Sequence, residues 1–184
     1  MADTDTKENP TATQSDIRIA LDEWLDGLDT PQATLTKHSM ETLAKTMRKN
    51  MAVRDSILVS VICSNSPEYD MDKIRDYAFQ PMRHDLVEWC ERSMKWSFKH
   101  AGNETDKGKI AKAIKMLADI TETVGDTNLK LQAQPFAIIS YMLWWMGDKR
   151  AVLAAMHALS IDEECSLAAI VVSAIHNDQW PNRN

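Results

Sequence analysis

Apolar residues recur at every third or fourth position through most of this 184-residue chain. That spacing places them on one face of an α-helix, because the helix repeats about every 3.6 residues. The first clear stripe of this kind is formed by Ile17, Ala20, Leu21, Trp24, Leu25 and Leu28. Similar stripes predict helices over about 39–50, 71–79, 81–100, 106–123, 135–146, 149–160 and 163–177. The chain is therefore predicted to be all-α, a single-domain helical bundle.

Residues 53–63 allow two interpretations. Their run from position 57 to 63 is rich enough in β-branched side chains for a buried strand. A single strand would have no partner, because no other segment alternates between apolar and polar residues. We therefore predict that this segment is also a helix.

The polar first residues are predicted to be disordered, whereas the rest of the chain is predicted to be folded. Residues 1–14 show no apolar periodicity and contain a proline, which is typical of a disordered tail. Residues 15–184 are predicted to form one helical domain, with Ser15 as the cap of the first helix. Pro67 after Ser66, and later Pro81, are predicted to begin two further helices.

The cysteines and the apolar runs indicate a cytoplasmic protein. Three separated cysteines with no CxxC pair are typical of free thiols in a reducing compartment. The first residues lack the apolar stretch of an export signal. The longest apolar run, residues 136–146, is much shorter than the about 20 residues that cross a membrane. We therefore predict no membrane partner.

The formal charge of −6 is concentrated at the start of the chain. Residues 1–33 carry eight acids against Lys7 and Arg18, a difference of −6, so the remaining residues sum to zero. Within that remainder, residues 92–115 are mildly basic. An acidic front and a basic middle can dock on each other or steer a partner.

The last three predicted helices carry the most specific pattern. Gly147 is suited to end one helix, and Asp148 to cap the next. Small alanines opposite large tryptophans let antiparallel helices approach closely, as in a tetratricopeptide-like helix pair. The pattern consists of Pro135, Trp144, Trp145, Gly147, Asp148, Ala151, Ala154, Ala155, Ala158, Leu159, Asp162, Ser166, Leu167, Ala168, Trp180 and Pro181.

This pattern resembles the C-terminal part of a bacterial family known as domain of unknown function 4192. Arg54 and Asp55 look like a second point shared with that family, so the resemblance spans roughly residues 40–181. It implies a helical C-terminal end and a bacterial or phage-borne origin. The family has no established activity, so the resemblance implies no function.

Catalytic chemistry is not indicated by any recognisable motif. The sequence contains no nucleophile elbow, phosphate-binding loop or dinucleotide fingerprint. His84, Asp85 and Glu88 could contribute to a hydrolase site, but a polar, solvated helix face is the favoured explanation. We therefore predict a non-enzymatic protein without a cofactor or a metal.

Nucleic acid is not the favoured partner either. Lys95, Trp96, Phe98 and Lys99 interleave cations with aromatic rings, a pattern that can bind single strands. The simpler interpretation is that the cations coat two helices while Trp96 packs inward. The acidic balance of the chain also weakens attraction to polyanions.

The sequence instead favours a protein–protein interaction module whose partner is another protein or a second copy of the chain. Tryptophan is enriched at interfaces, and Trp180, in a polar tail, either folds back as a lid or awaits a partner. The predicted partner-binding residues are Trp24, Asp22, Glu23, Asp26, Trp144, Trp145 and Trp180.

An acidic decoy is the alternative hypothesis. The negatively charged front of a short chain could imitate nucleic acid and occupy a basic site on a host defence protein or a nucleic-acid-binding protein. Such an inhibitor would be encoded by a phage or a plasmid. Asp22, Glu23, Asp26 and Asp29 would then carry the inhibition.

Overall fold

A computed structural model describes residues 12–31, 34–125 and 128–181. Within these ranges the chain forms α-helices, one short 3-10 helix (Leu129–Gln132) and no strand. The all-α prediction is confirmed, whereas most of the predicted tail, residues 1–11, lies outside the described residues. The helices are α1 (Gln14–Asp29), α2 (Lys37–Lys49), α3 (Met51–Ile62), α4 (Met71–Phe79), α5 (His84–His100), α6 (Lys107–Gly125), α7 (Ala133–Trp145), α8 (Ala151–Ile161) and α9 (Ser166–His176).

The ambiguous segment 53–63 belongs to α3, the central helix of the bundle. Ten of its twelve residues are buried, because α1, α2, α4, α5, α6 and α7 all pack around it. Burial on every side requires apolar residues all round the helix and removes the one-sided stripe that usually marks a helix. Tertiary packing thus overrides the β-propensity of the run.

The last three helices form two layers. α7 packs against both α8 and α9, which are joined by a short turn and therefore run antiparallel. Ala151, Ala155 and Ala158 are the buried residues of α8. None of the described helices is long and apolar enough to cross a lipid bilayer.

Three predicted cap or first residues are wrong by two to four residues, although α4 itself has the predicted bounds 71–79. α1 is capped by Thr13 rather than Ser15, because Thr13 and Asp16 exchange hydrogen bonds in a capping box. Ser66 and Pro67 form a turn, and Asp70 caps α4 instead by accepting from two backbone N–H groups. Pro81 lies in the turn before α5, which begins at His84. The segments before α1 and α4 each offer several capping residues, so local sequence does not choose among them, whereas the segment before α5 offers none.

Two helix ends near the C-terminus share one backbone motif. After α7, Gly147 adopts a left-handed φ of 73°, and the Asp148 N–H bonds back to the Leu143 carbonyl at 2.9 Å. After α9, Asp178 has a φ of 51°, and the Gln179 N–H bonds to the Ala174 carbonyl at 2.8 Å. These are Schellman motifs, which satisfy carbonyls at a helix end and turn the chain sharply. Asp148 accepts from the Arg150 N–H in the turn that follows, but α8 begins at Ala151 with Arg150 at the cap position, so Asp148 is not the predicted cap.

Gly147→Ala is expected to lower the free energy of unfolding by about 1–2 kcal/mol, the cost of a left-handed conformation for a residue with a Cβ. A Cβ at this position would meet no atom within 4 Å, so the loss is conformational and not a steric clash. Urea unfolding measures it. Gly147→Asn is the control and should lose less, because asparagine tolerates this conformation. Equal stability of wild type and the alanine variant would contradict the assigned backbone.

The acidic front and the basic middle of the chain dock on each other. Lys109 Nζ lies 2.8 Å from Asp29 Oδ1. Lys112 Nζ donates to the carbonyls of Leu28 at 3.1 Å and Thr30 at 2.8 Å. A cation of α6 thereby satisfies carbonyls at the C-terminal end of α1, where the helix dipole is negative. Docking of the acidic part on the basic part, one of the two roles predicted from the charge distribution, is therefore seen in the structure.

Candidate functional site

A surface groove lies where the C-terminal ends of α5, α7 and α9 meet. Its volume is about 610 Å³, within the range of sites that bind small molecules or side chains. We call it the aromatic groove. It is lined by Phe98 of α5, Trp144 of α7, Ile170, Ser173 and Ala174 of α9, and Asp178, Gln179 and Trp180 of the following tail.

Ring contacts hold one wall of the aromatic groove. The Phe98 ring centroid lies 6.4 Å from that of Trp144 and 5.9 Å from that of Trp145. Tyr141 packs edge-on against Trp144 at 5.1 Å. Tilted and edge-to-face arrangements are favourable for aromatic pairs, so these rings brace one another. The wall is therefore built from rings in mutual contact, and Phe98 remains 43% exposed.

The tail after α9 closes the end of the groove. The Schellman turn at Asp178 directs the chain back over α7, where Trp144 Nε1 donates to the Gln179 carbonyl at 2.8 Å. Trp180 is 8% exposed, and its Nε1 donates to Asp178 Oδ1 at 2.9 Å. Trp180 thus folds back on the final helix pair, as the lid interpretation predicted.

The chemistry of the groove is mainly apolar. Phe98 and Ile170 present the exposed apolar surface, and Ile170 is 55% exposed. Asp178 is the only charged residue among those that line the groove. A surface of this composition accepts an aliphatic or aromatic group, and the few polar groups can orient it.

Three of the predicted partner-binding residues come together here, since Trp144 and Trp180 line the groove and Trp145 supports Phe98. Trp24 lies elsewhere. It is fully buried between α1 and α3, and its Nε1 donates to Ser60 Oγ at 3.0 Å. Trp24 therefore stabilises the core and takes no part in the groove.

The predicted acidic residues lie on α1, away from the groove, and most of them hold the fold together. Asp22 pairs with Arg75 at 2.6 Å. Glu23 accepts from the Thr36 N–H at 3.0 Å and supports the start of α2. Asp29 pairs with Lys109, whereas Asp26 is exposed. These contacts engage three of the four carboxylates that the acidic-decoy alternative requires.

The residues considered for hydrolysis lie on the surface of α5. His84 Nδ1 is 3.8 Å from Glu88 Oε1, on one helix face as predicted. Asp85 instead pairs with Arg83 at 2.8 Å, and the hydrogen bond with that guanidinium holds the pKa of the carboxyl below its usual range. Among the described residues no group of three or more histidine, cysteine or acidic side chains could hold a metal ion.

The cysteines are buried or half-buried thiols. Burial raises the pKa of Cys63 to about 12. Burial likewise raises the pKa of Cys90 and of Cys165 above the usual value of a thiol. Because the thiolate is the reactive form, all three side chains are poor nucleophiles at neutral pH.

Phe98 and Ile170 were missed as site residues. Phe98 lies within the basic stretch 92–115, whose interleaved cations and rings indicate only nucleic-acid binding. Ile170 belongs to α9, a largely apolar helix that buries only four of its eleven residues. A largely apolar helix with so few buried positions is the signal that could have identified it.

In the comparisons with known proteins, no protein-family model, no curated protein and no solved structure matches this chain. The resemblance of the C-terminal helices to domain of unknown function 4192 therefore stays a prediction.

Proposed function

We propose that this protein is a non-enzymatic interaction module that binds an apolar segment of a protein in the aromatic groove. The observation that carries this proposal is the exposure of Phe98 and Ile170 on either side of a preformed cavity. Exposed apolar side chains around a concave surface mark interaction sites, because their removal from water drives association.

The construction of the groove also supports binding of a side chain from a partner. Braced aromatic rings lose little conformational entropy on binding, so the apolar area they bury contributes more fully to affinity. The polar residues Ser173, Asp178 and Gln179 line the same cavity. They can orient a backbone or side-chain donor that accompanies the apolar anchor.

Peptide display tests this proposal directly. The protein is immobilised at low density, so that copies do not meet, and a library of random twelve-residue peptides is selected on it. Selected peptides should carry an aromatic or aliphatic anchor. Ile170→Glu, which places a charge in the groove, should weaken their binding at least about tenfold, equivalent to about 1.4 kcal/mol.

Ile19→Glu is the matched control, because Ile19 is an exposed isoleucine on a helix outside the groove. Ile19 is 51% exposed and Ile170 55%. Peptide affinity should be unchanged in this variant. Selected peptides that bind wild type and Ile170→Glu equally well would rule out the groove as their site, and with it the proposed function.

A further inference from the structure

Three sulfur atoms lie together where the end of α3 packs against α5. Cys63, the residue that follows α3, is fully buried, and its Sγ lies 3.6 Å from Met94 Sδ. Cys90 precedes Met94 by four residues and therefore lies on the same face of α5. Burial raises the pKa of Cys63, and the Cys90 thiol adds to the rise, so the two thiols are close neighbours. We call these three side chains the sulfur cluster.

The geometry of the sulfur cluster suits one soft metal ion. A thiolate sulfur binds a metal at about 2.3 Å. Two sulfur atoms 3.6 Å apart would then meet at an angle of about 100° on a shared metal ion, which is an ordinary ligand angle. Cys63 and Met94 thus need no large movement to hold one ion between them. Thiolates with a thioether are soft ligands, and this set selects Cu(I) over harder ions.

Each thiol of the cluster has a hydroxyl group beside it. Ser97 is 4% exposed, and its Oγ has no hydrogen-bond partner within the part of the chain that the structure describes. It lies next to Cys63, where it can donate to a thiolate and so opposes the rise in pKa that burial causes. The Tyr77 hydroxyl opposes the same effect of burial on the pKa of Cys90. Donors placed behind the ligands in this way support metal binding.

We propose that the sulfur cluster binds one Cu(I) ion through Cys63, Cys90 and Met94. The ion displaces the protons of both thiols, which pass to the solvent, and leaves two thiolates and one thioether bound to copper. No electron is transferred, because the metal enters as Cu(I). Cys90 and Met94 are half-buried, so the ion reaches the cluster from the surface, and Cys63 is the innermost ligand.

This site is independent of the aromatic groove, because none of the three sulfur-bearing side chains lines that groove. It was not expected from the sequence, which predicted no metal. The cysteines are 27 residues apart and form no recognised motif, and the third ligand is a methionine, which also fills ordinary cores. Only the packing of α3 on α5 brings the three sulfur atoms together.

Anaerobic titration of the reduced protein with Cu(I), in competition with the coloured chelator bicinchoninate, tests the site. Wild type should bind one ion per chain and release two protons to the buffer. Cys63→Ala and Cys90→Ala should each weaken binding at least about 100-fold, because each removes a thiolate ligand. Met94→Leu, which keeps the volume of the side chain, should weaken it at least about tenfold. Ser97→Ala should also weaken it about tenfold, as expected for a group that supports a ligand.

Cys165→Ala is the matched control, because Cys165 is a buried thiol outside the cluster. Its affinity for Cu(I) should equal that of wild type, and X-ray absorption of the wild-type complex should give three sulfur neighbours at about 2.3 Å. Circular dichroism shows whether each variant is folded, and Met94→Leu keeps the test decisive if a cysteine variant is not. Wild type that fails to compete with the chelator overturns the site. Unchanged affinity in Met94→Leu, or an equal loss in all three cysteine variants, overturns it as well.

Discussion

Trp24→Ala is expected to lower the free energy of unfolding by about 3–5 kcal/mol, the usual cost of removing a fully buried large aromatic side chain. Trp24 is completely shielded from solvent and is among the largest side chains of the core. It joins α1 to α3, so the cavity cannot close unless two helices move. Urea unfolding, followed by circular dichroism, measures the loss.

Trp24→Phe separates packing from hydrogen bonding. Phenylalanine retains an aromatic ring but cannot donate to Ser60 Oγ, so a loss of about 1 kcal/mol is expected for the hydrogen bond, in addition to the smaller ring volume. Ser60 keeps its own bond to the Ile57 carbonyl at 2.7 Å. Trp24→Phe should also bind selected peptides like wild type, because Trp24 lies outside the groove. A loss below 1 kcal/mol in Trp24→Ala would contradict the described packing of α1.

Alkaline pH is expected to destabilise the protein strongly, and Cys63 is a principal cause. Burial raises the pKa of this thiol from the usual 9.0 to about 12. Above pH 9 the unfolded chain loses the thiol proton while the folded chain keeps it. The stabilisation is therefore complete below pH 9 and is lost as pH rises toward 12, at roughly 1.4 kcal/mol per pH unit for one group. Tyr69 and Tyr77, whose pKa burial raises to about 12, act in the same direction above pH 10.

Urea unfolding at pH 8, 9, 10 and 11 measures this dependence. Cys63→Ala is the matched variant, because it removes the titrating thiol while the tyrosines remain. Between pH 9 and 11 its free energy of unfolding should fall less steeply than that of wild type, by roughly 1.4 kcal/mol per pH unit. Parallel curves for the two proteins would show that Cys63 ionises as easily in the folded chain as in the unfolded one.

Much of the fold was predictable because each amphipathic helix carries its own stripe. The α1 stripe contains the buried residues Leu21, Trp24, Leu25 and Leu28. Even α3, without a stripe, was predictable from the absence of any strand that could pair with it. The first residue of each helix was harder to predict. Thr13 and Ser15 are both good capping residues, and only the reciprocal contact with Asp16 distinguishes them.

The groove was predictable only in part. Trp144, Trp145 and Trp180 belong to one C-terminal segment, and the expectation that Trp180 folds back follows from a lone tryptophan in a polar tail. Phe98 comes from α5, and its approach to α7 depends on the packing of the whole bundle. Sequence periodicity identifies the face of a helix but does not say which distant helix that face meets.

The contact between Lys112 and the C-terminal end of α1 can form only after α6 has been synthesised. Lys112 and the Leu28 carbonyl that it binds are 84 residues apart. At about 5–20 residues per second, the ribosome needs roughly 4–17 s to add that length of chain. Through that interval the end of the first helix has no cation from α6 and its last carbonyls must bind water or a chaperone. α1 is thus synthesised before α6 but is completed only once α6 is present.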